Sequence, residues 1–185
     1  MSDSDQFQLF AEEFTVDDQP EMAGLSFGEE PWSRAASEWI SESEVLDCIE
    51  KYRTRVWIYR DKDDQPVGFS SLEPTGWQKW PPVEGKRSRL LYIRQLGIDS
   101  KFRGYPPDRQ WRYSSQIMDH LVFVARDLAL EIRGEKPPSK HVELLTLRVH
   151  NDNVGAQKVY QRAGFELLED FELNDHLTML SLIHI

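Results

Sequence analysis

The stretch of this sequence that says most about chemistry is residues 147–165, which places His150, Asn151, Asp152, Asn153 and Tyr160 within one short span. Imidazole's ordinary pKa suits His150 to proton transfer near neutrality, although a simple strand-end histidine is the plainer reading. Elsewhere the reactive side chains lack company. Cys48 is the single cysteine, which excludes an internal disulfide framework and a cysteine-rich zinc site, and its neighbours Val45, Leu46 and Ile49 favour a buried small hydrophobe over a nucleophile. Ser114-Ser115 is not in a nucleophile-elbow pattern, and neither Gly155 nor Gly164 alone makes a phosphate loop. No second histidine or carboxylate stands at a metal-ligand spacing, so no metal is expected. His120 falls within a helical stretch and reads as a surface or hydrogen-bonded histidine.

The elements that position the 147–165 residues are legible from period and caps. Leu145, Leu147 and Val149 alternate with polar residues as in a half-buried strand, while Ala156, Val159, Tyr160 and Ala163 recur at helical spacing. Asn151, Asp152 or Asn153 can cap that helix, and Gly164 can close it. In order and spacing, Asn153, Ala156, Tyr160 and the Gly164-Phe165 pair resemble the second half of the acetyl-CoA site of the GNAT N-acyltransferase superfamily. The resemblance implies acetyl transfer from acetyl-CoA to an amine in a ternary complex. It puts Tyr160 at the general-acid position beside the leaving thiolate, with a core tyrosine as the alternative. It offers Asn153 as a partner of the pantetheine arm, with a helix cap alone as the alternative.

The other half of such a site follows the fourth strand, where Leu96-Gly97-Ile98 leads to Arg103-Gly104. Backbone N–H groups of Leu96, Gly97 and Ile98 are the implied donors to the thioester oxygen as it becomes negative. The segment that follows departs from the family's glycine-rich turn. Aligning Ser115 with the helix start puts Arg109 at the first motif position, Arg112 at a glycine and Ser114 at a small residue. Arg103, Arg109 and Arg112 could contact phosphate directly, and Ser114 or Ser115 could donate a hydroxyl and cap the helix. The alternative is an arginine-bearing surface loop before a capped helix. Where many family members carry a glutamate base on the fourth strand, this sequence has Tyr92. Glu29, Glu30 and His150 are the remaining candidates for the base, and Arg94 and Gln95 are expected to line an acceptor pocket.

Along the whole chain, strands are expected at residues 6–14, 55–60, 65–72, 90–98, 141–149, 165–173 and 177–185, and helices at 16–25, 35–40, 42–52, 114–132 and from the 153 cap to 164. A polar connection at 63–66 suits a hairpin. Residues 73–89, with Trp77 and Trp80, read as a loop that covers an acceptor pocket, makes a homodimer contact or packs on its own domain. This order predicts an α/β (α+β) domain, and the resemblance sharpens it to a GNAT-like three-layer α/β/α domain with a mixed, splayed central sheet. One domain over 1–185 is expected, with residues 1–5 a flexible tail.

The formal net charge of −10 argues against general phosphate-backbone binding, so no nucleic-acid partner is expected. It could concentrate a cationic acceptor such as an amine, with ordinary solubilising surface charge as the plainer reading. No apolar run reaches membrane-spanning length and the N-terminus lacks the regions of a signal peptide, which points to a cytoplasmic protein without a membrane partner. The functional expectation is an acetyl-CoA-dependent N-acetyltransferase acting on a primary amine of a small molecule or protein. The alternative is a non-catalytic CoA-sensing or interaction module, motivated by the irregular 103–115 loop and the missing strand-four glutamate.

Overall fold

The computed structural model describes residues 8–79, 87–108, 111–137, 141–173 and 175–182. Its strands are β1 (Phe10–Glu13), β2 (Arg55–Arg60), β3 (Pro66–Lys79), β4 (Arg87–Ile98), β5 (Val142–His150), β6 (Glu166–Leu173) and β7 (His176–Leu182). Its α-helices are α1 (Gln19–Met22), α2 (Pro31–Ser41), α3 (Ser43–Tyr52), α4 (Tyr113–Glu135) and α5 (Val154–Arg162). The strands form a mixed seven-stranded sheet in the order β1-β2-β3-β4-β5-β7-β6. The pair β4–β5 is parallel, joined through α4, as parallel neighbours require a crossover. The chain clusters into two compact units, Met1–Ser71 with Gln95–Met118, and Leu72–Arg94 with Asp119–Ile185.

In the first unit β1 pairs antiparallel with β2, Phe10 opposite Arg60 and Glu13 opposite Trp57. Ala36, Trp39 and Ile40 of α2 and Val45 and Cys48 of α3 pack with Val56, Ile58 and Phe69 in one core. Trp39 stacks on Phe69 at 5.8 Å between centroids, and Cys48 is buried as its sequence setting indicated. The helix expected over 16–25 is broken. Pro20 occupies the first turn of α1 and has no N–H to continue the preceding 3-10 turn (Val16–Asp18). Pro31 lies at the first turn of α2, where its missing N–H is harmless, so that helix begins ahead of the expected 35. The hairpin at 61–65 is held by Asp61, whose carboxylate accepts the N–H groups of Asp63 (3.0 Å) and Gln65 (2.9 Å).

In the second unit Leu90, Leu91 and Ile93 of β4 and Leu144, Leu145, Leu147 and Val149 of β5 are buried, with Leu121, Ala125 and Ala129 of α4. β5 pairs antiparallel with β7, and β7 with β6. The loop expected over 73–89 is corrected here: residues 73–79 extend β3 and 87–89 extend β4. Pro74 and Gly76 read as breakers, yet the polar residues around them find partners on the sheet. Glu73 is ion-paired with Arg94 at 2.6 Å, and the Thr75 hydroxyl donates to the Leu90 carbonyl at 3.1 Å. Trp77 lies in β3, whereas Trp80 and the expected flexible tail fall outside the described residues. Among the described residues, no helix is long and apolar enough to cross a membrane.

Candidate active site

In the second unit the chain turns from β5 into α5 by local hydrogen bonding. The Asn153 N–H donates to the His150 carbonyl at 2.9 Å, and the Asn153 side-chain oxygen accepts the Ala156 N–H at 3.1 Å, which makes Asn153 the cap among the candidates. The Gln157 amide donates back to the carbonyls of His150 (3.2 Å) and Asn151 (2.7 Å). The helix ends at Gly164, whose φ of +87° is the left-handed stop that glycine adopts without strain. The Phe165 N–H donates to the Tyr160 carbonyl at 3.0 Å, and the two rings lie 6.2 Å apart. The loop thus fixes Tyr160 by its own caps.

Tyr160 is half-buried, and burial first, then the nearby Tyr92, pushes its hydroxyl up to about 12. It therefore keeps its proton at neutral pH. Tyr92, on β4 opposite Thr146 of β5, is also raised, by burial above all, with Arg148 and Arg94 opposing and Glu73 reinforcing. Glu73, almost fully buried at 8% exposure, thus joins Tyr92 and Arg94 in one polar cluster of the second unit. Sequence reasoning missed it because the residue fell in an expected loop. His150 is half-buried; its Nδ1 accepts the Asp152 N–H at 3.2 Å, and its ring stands edge-on to His176 at 5.4 Å.

Among the described residues the β4–β5 register ends at Ile93 opposite Leu147, although β4 runs on to Ile98 and β5 to His150. In the first unit, β4 ends in a close backbone approach. A side chain at Gly68 would collide with the Gly97 carbonyl, and one at Gly97 would come within 2.8 Å of Phe27 and 2.7 Å of Phe69. The Gly97 oxygen therefore lies over Gly68. Because the peptide is planar and trans, the Ile98 N–H of that same unit points the opposite way. A glycine inside the β3 pattern was the available sequence signal for such an approach.

After β4, Asp99 is buried and accepts the N–H groups of Lys101 (3.0 Å) and Ser26 (3.3 Å). Arg103 donates to the Phe27 carbonyl, to the Ser33 hydroxyl at 2.9 Å and to Glu30 at 3.5 Å. Glu30 itself is lowered, by a backbone hydrogen bond first and the Ser33 hydroxyl second, which makes it a weaker base than an ordinary carboxylate. Gly104 follows in the turn, and Arg109 lies outside the described residues. The Arg112 carbonyl accepts the N–H groups of Ser115 (2.9 Å) and Gln116 (3.1 Å), and the Tyr113 N–H donates to Tyr105 at 3.1 Å. α4 therefore starts before the expected 114, with Ser114 and Ser115 inside its first turn and Arg112 just ahead of it. Arg112 is half-buried and its Nε, among the described residues, has no hydrogen-bond partner. Among the described residues no cluster of three or more His, Cys, Asp or Glu could hold a metal.

No protein-family model and no curated protein matches the chain. Solved structures do. The AtaT mutant toxin bound to the C-terminus of the antitoxin AtaR and acetyl-CoA superposes with a TM-score of 0.66 at 16% identity, over 95% of this chain and 93% of that one. AtaT complexed with acetyl-methionyl-tRNAfMet gives 0.64 at 18% identity, over 92% and 94%, and the KacTA–DNA complex gives 0.65 at 16%, over 95% and 94%. The chain has the GNAT fold. In that fold, β4, β5, α4 and α5 here are the elements from which the sequence resemblance drew its candidate residues. The expected mixed α/β class and the superfamily resemblance both hold at the level of fold.

Proposed function

We propose that this chain is an acetyl-CoA-dependent N-acetyltransferase that transfers acetyl to a primary amine by direct attack. The amine nitrogen attacks the thioester carbonyl carbon, the C–S bond breaks, CoA leaves as thiolate, and the amine's surplus proton passes to solvent. The observation that carries this reading is Tyr160, a half-buried phenol raised to about 12 on a helix capped by Asn153. A phenol that high lies several units above a thiol of about 8.5, so its work is to donate a hydrogen bond to the departing sulfur rather than to surrender its proton. The outward Ile98 N–H, with that of Leu96, supplies the donors to the carbonyl oxygen, whereas the Gly97 N–H shares the β3 side with its own carbonyl and is not one of them. Arg112, Ser114 and Ser115 at the start of α4 are the proposed pyrophosphate partners, supported by the helix N-terminus and by the Arg112 Nε, which has no hydrogen-bond partner among the described residues. When bound, acetyl-CoA supplies the activated acyl group. Glu73 on β3, ion-paired with Arg94, adds a carboxylate near Tyr92, the residue at the family's glutamate position.

For the acceptor, small-molecule and protein amines stand first, given the acidic net charge of −10. A second reading has its own support: AtaT is complexed with acetyl-methionyl-tRNAfMet, which adds the amine of an aminoacyl-tRNA. Incubation with [14C]acetyl-CoA and a panel of polyamines, amino acids, lysine peptides and charged tRNA tests both. Transfer to one class names the acceptor. Binding of CoA without transfer to any class moves the reading to a CoA-sensing module.

A further inference from the structure

We infer that Arg103 is not a phosphate ligand but a positioning residue, which together with Asp99 brackets the segment entering α2 onto the turn that leaves β4. The contacts lie within the first unit and all run between residues 26–33 and 99–103. The Ser100 N–H donates to the Ser26 carbonyl at 2.7 Å, and the Ser26 N–H returns a bond to the Asp99 carboxylate at 3.3 Å. Arg103 then spans the segment's far end, with one terminal nitrogen on the Phe27 carbonyl and on Ser33 Oγ (2.9 Å), and the other on Glu30 (3.5 Å). Ser33 is buried at 3% exposure and also donates to Glu30 at 2.9 Å. The guanidinium thus serves a buried hydroxyl, a main-chain carbonyl and a carboxylate through two nitrogens, a task that suits arginine's fork better than lysine's single nitrogen.

What the bracket holds in place follows from Phe27. Its ring lies so close to Gly97 that a methyl there would meet it at 2.8 Å, and it packs edge-on to Phe69 at 5.3 Å. Fixing Phe27's carbonyl through Arg103 therefore fixes the packing over the end of β4, whose N–H groups are the proposed oxyanion donors. Both of Arg103's terminal nitrogens already hold protein acceptors, and the phosphate contacts are assigned to Arg112 and the first turn of α4. This assignment rests on the acetyltransferase reading for its consequence, but not for its geometry.

Arg103→Ala, Arg103→Lys and Ser33→Ala separate the two roles, using CoA binding by calorimetry and amide hydrogen exchange over 26–33 in the full chain. The bracket predicts exchange at least about tenfold faster in all three variants, with the Kd for CoA within about twofold of the parent. Lysine should not restore protection. A CoA Kd weakened about tenfold in Arg103→Ala, restored by lysine and untouched in Ser33→Ala, would establish direct phosphate contact and overturn the inference, as would unchanged exchange over 26–33. If the parent chain binds no CoA, the acetyltransferase reading falls, and the exchange comparison alone decides for or against the bracket.

Discussion

The turn from β5 into α5 and the turn from β4 into α4 do the same structural job, yet they are built in opposite ways. The first is closed by neighbours: Asn153 caps Ala156, Gln157 reaches back to His150 and Asn151, and Gly164 stops the helix within the same short run. The second is closed by strangers: Asp99 bonds Ser26, Arg103 bonds Phe27 and Ser33, and Gly97 needs Gly68 to be bare. A strand-to-helix turn can thus be closed within one segment of sequence or by contacts distributed over several. The distributed turn takes its geometry from tertiary contacts rather than from a glycine-rich run.

The contrast is broken most severely at Gly68. Gly68→Ala forces a methyl onto the Gly97 carbonyl and is expected to cost about 3 kcal/mol, roughly 6–12 °C in Tm for a chain of this size, read by calorimetry. A stable variant would mean that the β4 end is not held by this approach. Tyr160→Phe tests the local half through chemistry: kcat with the best amine of the panel should fall about a hundredfold, the loss of one transition-state donor, with the Kd for CoA nearly unchanged. Unaltered turnover would remove Tyr160 from the mechanism.

Smaller changes sharpen the difference in kind. Asp99→Ala, which strips acceptors from Lys101 and Ser26, should cost about 2 kcal/mol and speed amide exchange in both 26–28 and 99–103. Asn153→Ala should cost about 1 kcal/mol and speed exchange only around 153–157. If Asn153→Ala loosened distant segments equally, the distinction between local and distributed closure would be lost. The smallest effect is an alkaline one. Tyr160 and Tyr113 are each raised by burial from an ordinary 10.0 to about 12; the stability they contribute is fully present below 10.0 and lost as pH rises toward 12. Tm should decline over that window, and more gently in Tyr160→Phe.

What the sequence disclosed follows the same division. The strand, cap, helix and stop of 145–165 were all legible, because alternation, Asn153 and Gly164 act within a few residues of their targets. Strands at 65–72 and 90–98 were legible too, but their extension through 73–79 and 87–89 was not, since Pro74 and Gly76 mimic loop chemistry and Glu73 is stabilised by Arg94, a residue the pattern cannot pair with it. Arg103 was legible as a cation after the fourth strand but not in its engagement, because Ser33 and Phe27 lie far away in the chain. The start of α4 was displaced slightly for a like reason: Arg112 and Tyr105, rather than a serine hydroxyl, satisfy its first turn.

Titration with acetyl-CoA and with CoA, read as the shift in Tm, tests the cofactor site most directly. A saturable rise is predicted, reaching about 2.7 kcal/mol of added stability when ligand exceeds Kd about a hundredfold, while no shift at roughly 1 mM of either ligand would contradict a CoA site in this GNAT fold.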